Sequence, residues 1–395
     1  MNIILFDDPV VRKSLLPLTY TRPVSEIRVG ILTITDKWKR RFDGQVSYAT
    51  QDYLSKKFPI ELTDDNLFIN GALCPDEKLI KSLEKLNSNE VLVRNGNVLA
   101  YRGTAFDLSR LDQMKSIDYE IEVSLINEPW KIFKQNANQI EIDFGIVTKG
   151  RSSAPITDLH TIVYGKDNIF IEEGASIKAA IINAENGSVY IGKNAHIHEG
   201  AIIKGSFALL EGAHVNMGAK IKGDTTIGPF SKVGGEVSNS VIFGYSNKGH
   251  DGFIGNTVIG EWCNLGADTN TSNLKNNYDS VKLWSYEKGG FKDSGEQFCG
   301  LIMGDHSKSG INTMFNTGTV VGVSANIFGS GFPRNFVPSF SWGGASGFTT
   351  FQKRKADEVA DRVMARRNLE YNEEEKEILH HIFDISSEYR IWDKK

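Results

Sequence analysis

The pattern of hydrophobic positions is most regular in one part of the chain, from Ile191 to Val233. An aliphatic side chain occupies every sixth position there, at Ile191, Ile197, Ile203, Leu209, Val215, Ile221, Ile227 and Val233. Small residues stand two positions before most of these anchors, and glycines follow in the turns. A period of six belongs neither to an α-helix nor to a simple strand, and it is typical of a parallel β-helix whose coils stack by backbone hydrogen bonds. We therefore predict short strands joined by turns, with the anchors pointing into a common core.

The six-residue spacing extends beyond this stretch on both sides. It begins at Ile171 and Ile177, and after irregular intervals it continues to Ile327. The interval from Val233 to Ile254 is twenty-one residues, from which we predict an extruded loop that carries GYSNKGHDG, residues 244–252. These intervals predict a β-helix domain over residues 150–345. A charged, amphipathic tail follows over residues 346–395, and we expect it to be helical and to cover the end of the coil stack.

Residues 1–145 lack the six-residue period. Short apolar runs at 3–6, 31–34, 67–69 and 90–93 are strand candidates, and residues 76–86 have a helical pattern. Strands that alternate with helices predict an α/β, Rossmann-like domain. Because parallel sheets bind ligands beyond the carboxyl ends of their strands, we expect the ligand edge in the loop after the first strand, residues 7–23.

Composition excludes several classes of protein. A chain of 395 residues is long enough for two or three domains, and a formal net charge of −4 provides no basic field for nucleic acid or an anionic membrane. The three cysteines have no CxxC spacing, which disfavours disulfides and a cysteine zinc site. The sequence has no recognisable signal peptide and no apolar run of the roughly 20 residues that a membrane helix needs. We expect a cytoplasmic protein that binds neither nucleic acid nor membrane.

The stretch PLTYTRP, residues 17–23, resembles the end of the nucleotide-binding loop of sugar-1-phosphate nucleotidyltransferases. In that family the loop binds a nucleoside triphosphate together with Mg²⁺, and cationic side chains neutralise the phosphates. The resemblance implies nucleotide and phosphate binding by Arg12, Lys13 and Arg22. The metal ligands stay unknown, since Asn70-Gly71 stands where the family has a Gly-Asp pair.

A more specific resemblance covers residues 249–282, GHDGFIGNTVIGEWCNLGADTNTSNLKNNYDSVK. This segment is similar to the acyltransferase part of the bifunctional glucosamine-1-phosphate acetyltransferases and N-acetylglucosamine-1-phosphate uridyltransferases. The resemblance implies that His250 is the catalytic residue. It implies substrate or acetyl-CoA binding by Asn264, Asn277, Tyr278, Asp279, Lys282 and Lys232.

The chemistry of His250 supports this interpretation. An amine that attacks a thioester must lose a proton, and histidine titrates near neutral pH, so a loop histidine suits a general base. The sequence departs from the family pattern at Gly234, Ser238 and Phe253, where an arginine, a lysine and a tyrosine are expected. The alternatives are a solvated surface histidine and an asparagine-rich turn in place of an NYD motif.

His196 and His214 are eighteen residues apart, which predicts that they stack on neighbouring coils about 4.8 Å apart. Such a pair either belongs to a zinc site or forms an outward-facing ladder of histidines without a metal. Lys232 continues the column and would repel a cation.

The resemblances imply a left-handed β-helix and an enzyme of sugar-nucleotide biosynthesis that is a homotrimer. Acetyl-CoA would acetylate an amino-sugar-1-phosphate, and the first domain would transfer a nucleotidyl group from UTP or dTTP to a sugar-1-phosphate. One alternative is a thymidylyl- or uridylyltransferase that uses the β-helix only as a trimerisation platform. Another is a trimeric scaffold without catalytic activity.

Overall fold

The computed structural model describes residues 2–42 and 44–394, and the chain divides into two compact units. The first unit holds the described residues up to Leu15 together with Thr21–Ile27 and Leu32–Glu128. The second holds Leu16–Tyr20, Arg28–Ile31 and the described residues from Pro129 onward. The α-helices are α1 (Pro9–Ser14), α2 (Ile34–Lys39), α3 (Glu77–Leu83), α4 (Pro129–Val147), α5 (Lys353–Ala365) and α6 (Glu373–Ile385). Short 3-10 helices lie at Val24–Glu26, Asp52–Leu54, Leu108–Gln113, Lys166–Asn168, Ser387–Tyr389 and Ile391–Lys394.

The first unit is built on a mixed sheet. Its strands in spatial order are Val46–Ala49, Asn2–Phe6, Asn66–Asn70, Asn97–Gly103, Glu90–Arg94 and Lys115–Asp118, and a small pair joins Leu73–Cys74 to Ser124–Leu125. Asn2–Phe6 lies parallel to both of its neighbours, so the residues that follow it stand at the carboxyl edge of the sheet. The predicted strand at 31–34 is wrong, because α2 begins at Ile34 and the Thr33 hydroxyl caps it by accepting from the Asp36 N–H.

The second unit is a parallel β-helix with three faces. The first face has the strands Ile169–Ile171, Val189–Ile191, Phe207–Leu209, Thr225–Ile227, Val241–Gly244, Val258–Glu261, Ile302–Met303, Val320–Val321 and Phe336–Val337. The second face has Ser176–Ile177, His196–Ile197, His214–Val215, Lys232–Val233, Asn247–Lys248, Asn264–Leu265, Lys308–Ser309, Asn326–Ile327 and Ser341–Gly344, with Gly347–Thr350 antiparallel at its end. The third face has Ile162–Tyr164, Ile181–Asn183, Ile202–Lys204, Lys220–Lys222, Glu236–Ser238 and Phe253–Gly255, followed by the pair Asn270–Thr271 and Met314–Phe315. A hairpin of Lys282–Ser285 and Gly290–Asp293 projects between two coils.

The six-residue period of hydrophobic positions arises, as predicted, because the anchors point into a common core. The eight anchors from Ile191 to Val233 are each at most 1% exposed and form one continuous core. Every coil therefore contributes inward side chains to a column of aliphatic residues, and burial of that column stabilises the stack. The fold class predicted from the sequence, an α/β domain followed by a left-handed parallel β-helix and a helical tail, is confirmed.

The loop predicted at 244–252 is wrong, because these residues remain in the coils. The inward positions after Val233 are Val237, Ile242, Lys248 and Ile254, at intervals of four, five, six and six residues, and all four side chains are at most 1% exposed. The interval of twenty-one is thus three residues shorter than four regular repeats. A lysine at the inward position hid this register from the hydrophobic pattern.

The helical tail ends the coil stack. The Asn372 side chain accepts a hydrogen bond from the Glu375 N–H and so caps the start of α6. The sequence suggests an apolar stripe of Ala356, Val359 and Val363 on α5, but of these only Ala356 is buried. The buried residues of α5 are Ala356, Ala360 and Met364. Phe383 of α6 packs edge-on against Phe340 with ring centroids 4.9 Å apart. Across the residues that the structure describes, we find no helix with the length and apolarity that crossing a membrane requires.

Candidate active site

A groove on the second unit arises from unequal turn lengths between its second and third faces. Four residues, 216–219, join His214–Val215 to Lys220–Lys222, and four residues, 249–252, join Asn247–Lys248 to Phe253–Gly255. The coil between them turns with only Gly234 and Gly235. The shorter turn leaves a depression of about 840 Å³ that is lined by His198, Asn216, Met217, Gly234, Gly235, Gly249, His250, Asp251, Ala267 and Asp268.

His250 lies in the wall of this groove. Its residue is exposed, so the imidazole is accessible to a substrate. Its turn is fixed from both sides: the Asn216 Nδ2 donates to the Gly249 carbonyl at 2.7 Å, and the Lys248 Nζ donates to the His250 carbonyl at 2.6 Å. A histidine that is accessible and carried on an ordered turn is suited to the role of a general base.

Gly234 is required by the narrowness of the short turn. A Cβ at this position would lie 2.5 Å from the Gly249 carbonyl oxygen and 3.4 Å from the His250 backbone nitrogen. The arginine that the family resemblance predicts at this position would therefore collide with the His250 turn. The glycine both creates the groove and allows that turn to pack against the neighbouring coil.

We expect Gly234→Ala to displace the turn that carries His250. The new Cβ cannot be accommodated without a backbone shift, and a misplacement of about 1 Å at a reacting group can reduce the rate by about 100-fold. Turnover measured with saturating acyl donor tests this expectation. Gly289→Ala is the matched control for replacing a glycine in this unit, because nothing lies within 4 Å of a Cβ there, although its positive φ predicts some local strain. Full activity of the Gly234 variant would show that the turn position is unimportant.

Two carboxylates share the groove with His250. Asp251 and Asp268 are both exposed, and their turns are connected by a hydrogen bond from the Asp268 N–H to the Asp251 carbonyl at 2.9 Å. Carboxylates accept hydrogen bonds from amines and hydroxyls. The groove therefore offers acceptors for a polar nucleophile beside a base that can remove its proton.

The other residues predicted for the acyl-transfer site do not line this groove in the described part of the chain. Lys232 and Asn264 lie in one outward column of the second face, separated by Asn247. The Asn247 Oδ1 accepts from the Arg367 Nη2 at 3.4 Å, so the region after α5 contacts this column.

The predicted NYD motif forms a local turn on the inserted segment. The Asn277 Nδ2 donates to the Asp279 carboxylate at 2.5 Å, and the Tyr278 carbonyl accepts from the Gln297 Nε2 at 3.0 Å. Tyr278 is 65% exposed, and Lys282 begins the projecting hairpin. Within one chain, the structure does not bring these residues together with His250, and their substrate-binding roles stay predictions.

The histidine pair predicted from the eighteen-residue spacing is stacked. His196 pairs with His214 on neighbouring strands, with ring centroids 4.5 Å apart. The His198 Nε2 and His214 Nδ1 are 3.1 Å apart, so these nitrogens bond to each other. Over residues 2–42 and 44–394, no group of three or more His, Cys, Asp or Glu side chains has the arrangement of a metal site. The ladder interpretation fits this geometry.

His214 predicts a pH dependence of stability. Burial, followed by the neighbouring charges of His196, Lys232, His198 and Arg367, lowers the pKa of His214 from 6.5 to about 4. The unfolded state therefore binds more protons between these values, so the contribution of His214 to stability is complete above pH 6.5 and is lost as the pH falls toward 4. We expect His214→Gln to make the free energy of unfolding depend less steeply on pH between pH 4 and 6.5, as measured by urea unfolding across pH 4 to 7. An unchanged slope would contradict the expectation.

Arg12 in the first unit is engaged in a buried ion pair. Its Nη1 donates to the Asp7 Oδ2 at 2.7 Å and to the Arg22 carbonyl at 3.1 Å, and its Nη2 donates to the Tyr53 hydroxyl at 2.9 Å. The Asp7 carboxylate also accepts from the Val24 N–H at 2.7 Å. The guanidinium thus holds the segment after the first strand to the loop that follows it.

The other two residues predicted to bind phosphate, Lys13 and Arg22, differ in exposure. Lys13 is exposed on α1, and Arg22 is 6% exposed. Asn70 and Gly71 stand where the family has its Gly-Asp pair, and the Asn70 Nδ2 donates to the Val98 carbonyl while its Oδ1 accepts from the Ala72 N–H. Neither residue supplies a carboxylate oxygen, the ligand that Mg²⁺ prefers.

Sequence reasoning missed Asn216, Lys248 and Asp268, although each supports or lines the groove. The signal that could have found them is the shortened spacing after Val233. Once the compressed turn at Gly234-Gly235 is recognised, the register places Lys248 inward and His250 on the adjacent turn.

Comparisons with known proteins find sequence similarity in both units of the chain. Residues 3–152 match the family model of sugar nucleotidyl transferases. The bifunctional sugar-1-phosphate nucleotidylyltransferase/acetyltransferase of Sulfurisphaera tokodaii is 27% identical over 263 residues, which cover 64% of this chain and 58% of the relative. The bifunctional protein GlmU of Methanocaldococcus jannaschii is 36% identical over 87 residues, which cover 22% of this chain and 21% of that protein. The chain therefore spans less than two thirds of the length of these curated relatives. The chain is similar to the bifunctional sugar-1-phosphate nucleotidylyltransferases/acetyltransferases, and its residues 3–152 match the sugar nucleotidyl transferase family.

Proposed function

We propose that the groove beside His250 transfers the acetyl group of acetyl-CoA to the amine of an amino-sugar-1-phosphate. The observation that carries this proposal is an exposed histidine on an ordered turn, in a groove that also presents two carboxylates. The relative from Sulfurisphaera tokodaii is named as an acetyltransferase as well as a nucleotidylyltransferase, which supports the same reaction.

In the proposed reaction His250 removes a proton from the amine as its nitrogen attacks the thioester carbonyl. The carbon–nitrogen bond forms, and the carbon–sulfur bond then breaks with release of the coenzyme A thiolate, which takes up the proton. Asp251 or Asp268 accepts a hydrogen bond from the nucleophile and orients it. Backbone N–H groups of the adjoining turns are suited to stabilise the oxyanion.

We also propose that the first unit transfers a nucleotidyl group from UTP or dTTP to a sugar-1-phosphate. The match of residues 3–152 to the family model supports this activity. Lys13, which is exposed on α1, is the proposed phosphate contact, and Arg22 is a second candidate. Arg12 acts by holding this loop in place through Asp7. The Mg²⁺ requirement that the family resemblance implies stays a prediction.

The assembly and location stay proposals from the family resemblance. We propose a cytoplasmic homotrimer, in which a second subunit would bring Asn264, Asn277, Tyr278, Asp279, Lys282 or Lys232 to the groove. Sedimentation equilibrium of the full chain tests the trimer, and a monomeric mass would contradict it.

Two assays on the full chain test the enzymatic proposals separately. Release of free thiol from acetyl-CoA in the presence of glucosamine-1-phosphate reports acyl transfer. Release of pyrophosphate from UTP or dTTP in the presence of a sugar-1-phosphate reports nucleotidyl transfer. Pyrophosphate without thiol would favour the alternative of a nucleotidyltransferase with the β-helix as a platform, and neither product would favour the scaffold.

A further inference from the structure

Lys248 is unusual because it occupies an inward position of the β-helix. It pairs with Val233 of the preceding coil, and the register places it between Val233 and Leu265 in the aliphatic column. The side chain is 1% exposed. Taking an ammonium group out of water is unfavourable unless hydrogen bonds compensate for it. Burial lowers the pKa of Lys248 to about 8, so the group stays protonated at neutral pH.

The compensating partners are two backbone carbonyls of the turn that carries His250. The Lys248 Nζ donates to the His250 carbonyl at 2.6 Å and to the Asp251 carbonyl at 2.6 Å. Charge-assisted hydrogen bonds of this length are stronger than bonds between neutral groups. A single buried side chain thereby fixes two consecutive peptide units next to the proposed base.

The turn lacks the bond that closes comparable turns. Turns 198–201, 216–219 and 266–269 are each closed by a backbone hydrogen bond from the fourth N–H to the first carbonyl, at 3.3, 3.2 and 3.2 Å. In the described part of the chain no such bond spans Gly249–Gly252. Gly252 instead has a φ of 120°, which an L side chain rarely adopts, and the carbonyls of His250 and Asp251 turn toward the lysine.

The two remaining carbonyls of the turn are also engaged. The Gly249 carbonyl accepts from the Asn216 Nδ2 at 2.7 Å, and the Gly252 carbonyl accepts from the Glu236 N–H at 2.9 Å. Every carbonyl from Gly249 to Gly252 thus has a defined donor. Lys248 supplies the donor for the His250 carbonyl and shares the Asp251 carbonyl with the Asp268 N–H.

We propose that Lys248 is a positioning residue for acyl transfer, which holds the His250 turn from inside the coil in place of a turn hydrogen bond. This inference rests on the proposed function, because it gives His250 the role of base. Lys248 itself does not touch the substrate, since its ammonium group is buried beneath the turn. An aliphatic residue at this position would satisfy the core but leave the His250 carbonyl without its donor and the Asp251 carbonyl with the Asp268 N–H alone.

The test replaces Lys248 by methionine in the full chain. Methionine suits the core, since Met303 occupies an inward position of the same β-helix and is fully buried. Replacing a buried charge by an apolar residue of similar size is often neutral or stabilising, so we expect the variant to fold with an unchanged or higher Tm. Lys220→Met, at an exposed lysine two coils earlier, is the matched control.

We expect Lys248→Met to lower kcat for thiol release by about tenfold or more, because the base is no longer held in its productive position. The KM for acetyl-CoA should change by less than about threefold, because Lys248 does not touch the substrate and its loss should affect the chemical step rather than binding. Amide hydrogen exchange should accelerate in residues 249–252 and remain unchanged in the rest of the coil stack.

The outcomes distinguish the inference from the function on which it rests. If His250→Gln is inactive while Lys248→Met retains wild-type kcat and exchange, the positioning role is wrong and the base remains. If Lys248→Met fails to fold, the lysine serves the core rather than the turn, which also overturns the inference. If His250→Gln retains full activity, the proposed function itself fails.

Discussion

His250→Gln is expected to lower kcat for acyl transfer by about 100-fold to 10,000-fold, the range typical for removal of a general base. Glutamine keeps the size and hydrogen-bonding capacity of the side chain but cannot accept the proton of the attacking amine at neutral pH. Since His250 is exposed on its turn, the substitution should leave the fold intact. Thiol release under steady-state conditions, with kcat and KM determined separately, measures the effect.

His160→Gln is the matched control for this substitution. His160 is also exposed in the second unit, but it does not line the groove. We expect its kcat to stay within about twofold of wild type, as for surface substitutions away from a site. Equal losses in both variants would point to a general effect of histidine replacement, and no loss in either would remove His250 from the reaction.

Arg12→Met is expected to destabilise the first unit by about 3–5 kcal/mol, because it leaves the buried Asp7 carboxylate without its charged partner. Asp7 and Arg12 are 4% and 7% exposed, so water cannot replace the lost bond at 2.7 Å without opening the loop. Burial already raises the pKa of Asp7, and the arginine is the largest opposing influence. Amide hydrogen exchange of Asn2–Phe6 under native conditions measures the free energy of opening in this unit.

Lys13→Met is the matched control, because Lys13 is the exposed neighbour of Arg12 on the same helix. Its effect on stability should be within about 0.5 kcal/mol. The two variants also separate stability from ligand binding. If Arg12→Met keeps wild-type exchange and loses only nucleotide affinity, then Arg12 contacts phosphate as the family resemblance implied and the structural role is wrong.

The β-helix could be predicted from the sequence because its core repeats. Each inward position from Ile191 to Val233 is aliphatic, so the period of six is visible without any knowledge of the fold. The pattern failed where one inward position is a lysine. A charged residue reads as a loop in a hydrophobic pattern, and only the bonds from Lys248 to two carbonyls show why it is tolerated in the core.

The candidate site was predictable only in part for a related reason. His250 was identified by resemblance, but the groove around it depends on a difference of two residues between turn lengths, which becomes meaningful only once the coil register is known. Arg12 shows the opposite limitation. A basic residue after the first strand suggests phosphate binding, and an aspartate is equally ordinary in a nucleotide-binding loop. The sequence therefore does not reveal that Arg12 and Asp7 bind each other.

The most direct test of the central claim is a single-turnover measurement of thiol release by wild type and His250→Gln, both saturated with acetyl-CoA and mixed with glucosamine-1-phosphate. Binding of acetyl-CoA to each protein is first confirmed by calorimetry, so that only the chemical step is compared. We predict equal binding within about threefold and a rate constant lower by at least about 100-fold in the variant. Equal rate constants in the two proteins would contradict acyl transfer by His250 in this groove.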